Sequence, residues 1–322
     1  VIVFRDPGEV PAGFGPSVVA IGKFDGVHSG HRAVIARARV DAAESGARVV
    51  AVTFDRNPLA LLRPELCPDS LVGVEQKLRL LADAGVDATL MLTFDRALAD
   101  LPAREFVEHV LVGALGVKIV LVGADFRFGR GGSGDPRLLS DLGREFGFDV
   151  DVIEDVRAID DGRRVSSTWV RQLLSEGDVA GAAKLLGRPH SVRGEVVHGL
   201  KRGRELGFPT ANLSADLEGF VPAEGVYAGW LVDEGARRDG VEPRSSVRYP
   251  AAISVGTNPT FADVAARQVE AYVLDETDLD LYGHMVEVEF TSRIRGMVAF
   301  EGIEPLIAKM TEDVARVRGE LA

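Results

Sequence analysis

The sequence predicts an α/β protein in two parts: a parallel sheet with helices on both faces, then a small antiparallel β-barrel or sandwich with a terminal helix. Three observations predict it. The chain has 322 residues, 46% of them hydrophobic, enough for two domains that each bury a core. In the first part, continuous β-branched runs alternate with amphipathic stretches, the pattern of strands buried on both faces. After "GRPHSV", strand-like segments follow one another without helices, punctuated by Gly, Pro and Asn.

Taken in order, "SVVAIG" reads as a buried strand, 31–45 as a helix and "ARVVAVTF" as a second strand. "VEQKLRLLADAG" is a helix that Gly85 closes, because glycine accepts the left-handed conformation of a helix end. "ATLMLTF" and "VKIVLVGA" are strands, with the helix "AREFVEHVLVGALG" between them. The helix "DPRLLSDLGREFG" and the strand "FDVDVIE" follow. "SSTWVRQLLSEG", capped by Ser166 or Ser167, and "DVAGAAKLLG" are the last two helices, which places the domains at 1–186 and 187–322. The second part reads as the strands "SVRGEVVHG", "GVYAGWLVD", "RYPAAISVG", "RQVEAYVLD" and "MVEVEFTSRI". "EGARRDGVEPRSS", 234–246, is polar and is expected to be a mobile loop. Residues 303–321 are helical. Ile303, Leu306, Ile307, Met310, Val314, Val317 and Leu321 recur every three or four positions and imply one buried face.

A net charge of −12 argues against bulk binding of nucleic acid or a membrane surface, while leaving room for a local basic pocket that takes a small anion. Cys67 is the single cysteine, so no disulfide forms within the chain, which fits a reducing cytoplasm. "VIVFRDPGEV" lacks the features of a signal peptide, and no apolar run approaches the roughly 18 residues that span a bilayer. The expected class is a soluble cytoplasmic protein.

The first candidate site is "GKFDGVHSGH", 22–31, where a strand hands over to a helix. A helix N-terminus offers free N–H groups and a positive dipole end. His28 and His31 can both face one anion from the first turn, and Gly26 and Gly30 let the backbone approach closely. Zinc binding and plain capping are the competing readings. Six histidines and one cysteine, with no second cluster at metal spacing, disfavour zinc. "GRGGSG", 129–134, matches G-x-G-x-x-G but does not directly follow a strand, so it reads as a flexible loop. No Walker-type phosphate loop occurs.

"HSGH" is similar to the HxGH signature of nucleotidyltransferases, whose histidines contact the α-phosphate of ATP. From end to end the chain resembles the bifunctional prokaryotic FAD synthetases, in which riboflavin kinase is fused to FMN adenylyltransferase. The first-half motifs are "GKFDGVHSGH", "TFDRNP" (53–58), "GADFRFG" (123–129) and "SSTWVR" (166–171). The resemblance implies a Rossmann-like nucleotidyltransferase domain followed by a riboflavin kinase-like barrel. It implies ATP contacts at Gly22, Phe24, Asp25, Gly26, His28, His31, Ser166, Ser167, Thr168 and Arg171. It implies flavin contacts at Asp125, Phe128 and Asn57; core packing is the competing reading for Phe128. The family usually reads T-F-D/E-P-H-P at 53–58. Here Arg56 and Asn57 replace the proline and histidine, and Lys23 stands where a small or apolar residue is usual.

"GLKRGRELGFPTANL", 199–213, resembles the riboflavin kinase signature. Gly199, Gly203 and Gly207 suit a loop folded over phosphates, and Thr210 and Asn212 offer hard oxygens to Mg²⁺. The resemblance implies ATP contacts at Gly199, Lys201, Gly207, Phe208, Pro209, Thr210 and Asn212, with Thr210 and Asn212 as metal ligands. "SVGTNPTF" and "VEAYVLD" match the remaining motifs, and Glu270 matches the proposed catalytic base. Alternation along that strand puts Val269, Ala271 and Val273 on one face and Glu270 and Tyr272 on the other. Histidines 109, 190, 198 and 284 read as structural. The function implied is conversion of riboflavin to FMN with MgATP, then of FMN to FAD with a second ATP. The alternatives are a kinase with a weakened or respecified transferase, and a non-catalytic flavin-binding regulator. The implied partners are riboflavin, FMN and ATP, without nucleic acid or membrane; oligomeric state is left open.

Overall fold

The computed structural model describes residues 1–158, 162–198, 208–236, 246–257, 267–276 and 279–322. The chain forms two compact units, one of residues 1–70 and 74–166, the other of 71–73 and 167–322.

The first unit is built on β2 (Ser17–Ile21), whose five residues are all buried. Val19 and Ile21 enter one core and Val18 and Ala20 the other, so the strand has no polar face. Around it lie β1 (Ile2–Phe4), β3 (Arg48–Phe54), β4 (Ala88–Leu92), β5 (Val117–Gly123) and β6 (Asp149–Ile153). Every pairing is parallel, in the order β1-β4-β3-β2-β5-β6. The parallel sheet is as expected, except that β1 was not foreseen. Three residues carry no readable period, and their partner β4 is more than 80 positions away along the chain. From β2 the chain proceeds to β3 and β4 on one side, then returns to β5 and β6 on the other. The crevice beyond the carboxyl ends of β2 and β5 is therefore where a ligand site is expected in such a sheet. The helix expected over "AREFVEHVLVGALG" is one α-turn, Ala103–Glu105, continued as a π-helix over Phe106–Ala114.

The second unit starts with two helices, Ser167–Glu176 and Val179–Leu186. Six antiparallel strands then close a barrel in the order β10-β11-β8-β7-β12-β9. They are β7 (His190–Val197), β8 (Thr210–Leu213), β9 (Gly225–Ala236), β10 (Val247–Thr257), β11 (Arg267–Val273) and β12 (His284–Arg295). Of the two sheet forms the sequence allowed, the structure takes the barrel. β8 lies inside the phosphate-loop motif, where no local pattern predicts a strand. It is four residues long and gains its place by pairing with β11 and β7. Glu234–Ala236, the start of the expected mobile loop, extend β9; the rest, to Ser245, lies outside the described residues.

The terminal helix, Ile303–Leu321, departs from its expected face. Val317 is fully buried, whereas Ile303 is 63% exposed and the other five apolar positions are half-buried. Its second buried residue is Asp313, which accepts from Arg295 Nε at 2.9 and 3.1 Å. A buried ion pair thus fastens the helix to β12 where apolar packing alone was expected. Among the described residues, no helix is long and apolar enough to cross a membrane.

Candidate active sites

The loop after β2 is held in an uncommon backbone shape. Phe24 (φ +48°) and Val27 (φ +40°) are left-handed although neither is glycine, and both are buried. Each such residue costs of order 1–3 kcal/mol and persists only where surrounding packing holds it. Gly26 takes φ +82° without that cost. The following helix, α1 (Ser29–Ser45), starts two residues earlier than expected because His28 caps it. His28 Nδ1 accepts from the His31 backbone N–H at 3.4 Å. Accepting on Nδ1 leaves the proton of a neutral ring on Nε2.

The two imidazoles stack, with centroids 3.7 Å apart and planes 15° from parallel. A side chain at Gly30 would press within 3.1 Å of the His28 ring. His31 Nδ1 is buried without a hydrogen-bond partner. Burial, and then the nearby His28 and Lys77, hold His31 well below the ordinary histidine range, so it is neutral at pH 7.

Beyond the end of β3 the chain turns at once. Asn57 Oδ1 accepts from Leu59 N at 3.1 Å and caps α2 (Pro58–Leu62). Arg56 is half-exposed and lies 3.5 Å from Asp55. Asp55 in turn accepts from Phe94 N at 3.0 Å. Beside this turn lies an apolar pocket walled by Phe54, Phe94, Phe106, Phe126 and Phe128. Phe126 and Phe128 stack at 5.4 Å, and Phe128 is both pocket wall and core residue. Asp125 is placed differently: it is exposed and pairs with Arg164 at 2.9 Å. "GRGGSG" contributes to the same pocket. It forms a tight turn rather than a free loop, pinned by hydrogen bonds of 3.1 and 2.8 Å between Phe128 and Gly134.

Ser166 ends the first unit; Ser167, Thr168 and Arg171 lie in the first half of the helix Ser167–Glu176.

In the barrel, β11 alternates as expected: Val269, Ala271 and Val273 are buried, and Gln268, Glu270 and Tyr272 share the other face. The register sets Glu270 opposite Asn212 and Tyr272 opposite Thr210. Thr210 Oγ1 donates to Glu270 Oε2 at 3.4 Å. Asn212 Nδ2 donates to the Thr210 carbonyl at 3.2 Å and to its hydroxyl at 3.3 Å. Gln268 Nε2 donates to Asn212 Oδ1 at 3.3 Å, which orients that amide. Phe208 packs edge-on against Tyr272 at 5.4 Å. Burial raises the Glu270 carboxyl above its usual range, against the opposing hydrogen bond from Thr210. Pro209 immediately precedes β8. Gly199, Lys201, Gly203, Gly207 and the 258–261 end of "SVGTNPTF" lie outside the described residues.

Two polar residues at these sites carry no functional signal in the sequence. Gln268 had no local signal. Lys77 sits on α3 (Val74–Ala84) beside Leu78, and a lysine there reads as solvent-facing. Among the described residues, no cluster of three or more His, Cys, Asp or Glu side chains could hold a metal ion.

Comparison with known proteins now joins the two halves. Residues 12–169 match the FAD synthetase family and residues 186–321 the riboflavin kinase family. The chain is 38% identical over 301 residues, 94% of its length and 91% of its counterpart's, to the bifunctional riboflavin kinase/FMN adenylyltransferase of Escherichia coli strain K12. The chain belongs to this bifunctional family. The Listeria monocytogenes member is 34% identical over 310 residues, covering 95% of this chain and 92% of that one. A solved structure described as a macrolide-efflux protein from Streptococcus pneumoniae is 31% identical, with TM-score 0.82 and 98% of each chain covered. That description belongs to that protein; its coordinates show that this fold recurs there.

Proposed function

We propose that this chain phosphorylates riboflavin with ATP to give FMN, and adenylylates FMN with a second ATP to give FAD and pyrophosphate. The observation that carries this reading is the pairing of two chemically distinct sites. One holds two stacked imidazoles at the crevice of a parallel sheet, beside an aromatic pocket. The other holds a half-buried carboxylate beside a hydroxyl and a side-chain amide. The functional domains are 1–186 and 187–322, and the enzyme works in the cytoplasm.

In the adenylyltransferase half, a phosphate oxygen of FMN attacks the α-phosphorus of ATP, and the bond to the β-phosphate oxygen breaks. The nucleophile is already ionised at neutral pH, so no side chain has to remove a proton. The protein's work is positioning and stabilisation of charge on the α-phosphate. His28 and His31 donate to it, assisted by N–H groups of the Gly22–Gly26 loop, with Phe24 and Asp25 shaping that loop. Ser166, Ser167, Thr168 and Arg171 hold the rest of the triphosphate. Phe128 faces the flavin ring, and Asp125 and Asn57 contact FMN at the rim.

In the kinase half, the riboflavin 5′-hydroxyl does carry a proton. Glu270 accepts it as the oxygen attacks the γ-phosphorus and ADP leaves. Its raised affinity for protons makes it a stronger base than an exposed carboxylate. Phe208 and Pro209 contact the ATP, and the resemblance assigns the same role to Gly199, Lys201 and Gly207. The family implies Mg²⁺ with that ATP, and the donors fit: the Thr210 hydroxyl, 3.4 Å from Glu270, and the side-chain carbonyl of Asn212, opposite Glu270 in the register, are hard oxygens. When bound, Mg²⁺ would neutralise charge on the phosphates.

Asn57 supports a second reading, a working kinase with a weakened or respecified transferase, since an amide cannot supply the charge of the family's histidine. Chromatography of flavins after incubation with riboflavin, ATP and Mg²⁺ separates the cases. FAD is expected. FMN alone would favour the second reading, and no conversion would point to a flavin-binding regulator.

A further inference from the structure

Lys77 places a charge where a helix ordinarily buries carbon. It is 7% exposed, and its ammonium donates to the Phe54 carbonyl at 2.9 Å. Phe54 is the last residue of β3 and a wall of the aromatic pocket, and it packs edge-on to Phe94 at 5.4 Å. The same ammonium interacts with Asp25 in the loop after β2 and with Asp55 just past β3. It also lies near His31 in the first turn of α1. A buried cation persists only where partners compensate its lost hydration. Here burial lowers Lys77 from the usual lysine range, and Asp25 and Asp55 oppose that shift.

We propose that Lys77 is a positioning residue of the adenylyl-transfer site, tying the strand end that walls the aromatic pocket to the loop and helix turn that carry Asp25 and His31. The proposal rests on the adenylyltransferase reading given above. Without the ammonium, the Phe54 carbonyl loses its donor and Asp25 and Asp55 lose a neighbouring cation. The strand end and the imidazole pair are then free to drift apart. Misplacement of about 1 Å away from the reacting atoms can cost on the order of 10²-fold in rate.

Lys77 has a second, separable effect. The titratable groups that bear on His31 are His28 at the helix cap and Lys77 on α3, and both disfavour the imidazolium. Asp25 and Asp55 carry the counter-charge to Lys77. Removing the lysine charge therefore moves His31 titration to higher pH.

The test uses the full chain with Lys77→Met, which keeps length without charge, and Lys77→Arg, which keeps charge. It follows FMN adenylylation from supplied FMN, riboflavin phosphorylation, and the His31 ring titration by NMR. Lys77→Met should lower adenylylation roughly 10²-fold, mainly in kcat, leave phosphorylation unchanged and raise the His31 midpoint. Lys77→Arg should keep the low midpoint and recover part of the rate. Wild-type adenylylation in Lys77→Met, or an unmoved His31 midpoint, would overturn the proposal. If Lys77→Met does not fold, Lys77→Gln takes its place, with the same expected and the same overturning results. If the wild type makes no FAD from FMN, the functional reading fails, while the His31 shift still decides what Lys77 does.

Discussion

The two proposed sites would take the same substrate, ATP, but they differ in where the protein keeps its charge. At the sheet crevice His28 and His31 stack, His31 is held neutral, and the charged side chain near it, Lys77, is buried. In the barrel a carboxylate stands at the site itself, desolvated and reluctant to ionise. The difference follows the nucleophile. A phosphate arrives already ionised, so a carboxylate beside it would only repel it. A hydroxyl arrives with its proton, so something must take that proton. Two ATP-dependent transfers on one chain thus show opposite electrostatics for one chemical reason.

The comparison breaks first at Glu270. Glu270→Gln keeps the shape and removes the base, so riboflavin phosphorylation should fall about 10²–10⁴-fold. FMN adenylylation should not change. The thermal midpoint should hold or rise, because a half-buried, partly desolvated carboxylate is replaced by a neutral amide that still accepts from Thr210. Equal loss of both activities in an assay of each half-reaction would refute the separation.

The converse change is smaller. His28→Ala or His31→Ala removes one donor to the α-phosphate, worth about 10²-fold in comparable sites. FAD formation should fall by that factor while FMN accumulates. Loss that a chelator reproduces and Zn²⁺ specifically restores would show a metal site instead.

Asn57 sharpens the comparison further. His28 shows that an imidazole can cap a helix through Nδ1, so a histidine at 57 could cap α2 in the same way and leave Nε2 for a phosphate. Asn57→His should raise FAD formation a few-fold on the scale of one hydrogen bond, about 1 kcal/mol. Asn57→Ala should lose the cap, costing about 1 kcal/mol of stability with no gain in FAD. A fall in activity in Asn57→His would make "RN" an adaptation to a different substrate.

The smallest effect is on pH. Glu270 must be ionised to act, and burial raises its pKa, so the base is lost as pH falls through that raised value. The acid limb of riboflavin phosphorylation should therefore lie above the ordinary glutamate value of about 4.3. A limb at or below it, in a pH–rate profile, would contradict the desolvated-base account.

What could be read in advance depended on the distance over which each signal acts. The buried strands of the sheet and the alternation that turns Glu270 away from Val269 are local patterns, and both stand in the structure. The cap at His28 is local too, but histidine is not an expected cap residue, so the helix start was placed two residues late. β8 was hidden because its four residues become a strand only by pairing with β11, some 60 positions away along the chain. Lys77 and Gln268 were silent for the same reason: their partners come from other elements. The terminal helix shows the opposite error, a regular apolar period whose first turn nevertheless lies off the core.

The central claim is that one chain carries two separate sites, each sufficient for its own transfer. The most direct test mixes two defective variants, Glu270→Gln and His31→Ala, with riboflavin, ATP and Mg²⁺. Glu270→Gln alone should leave riboflavin largely unconverted, and His31→Ala alone should accumulate FMN. Together they should make FAD, because FMN released by one variant is adenylylated by the other. A mixture that forms no more FAD than either variant alone would contradict the claim.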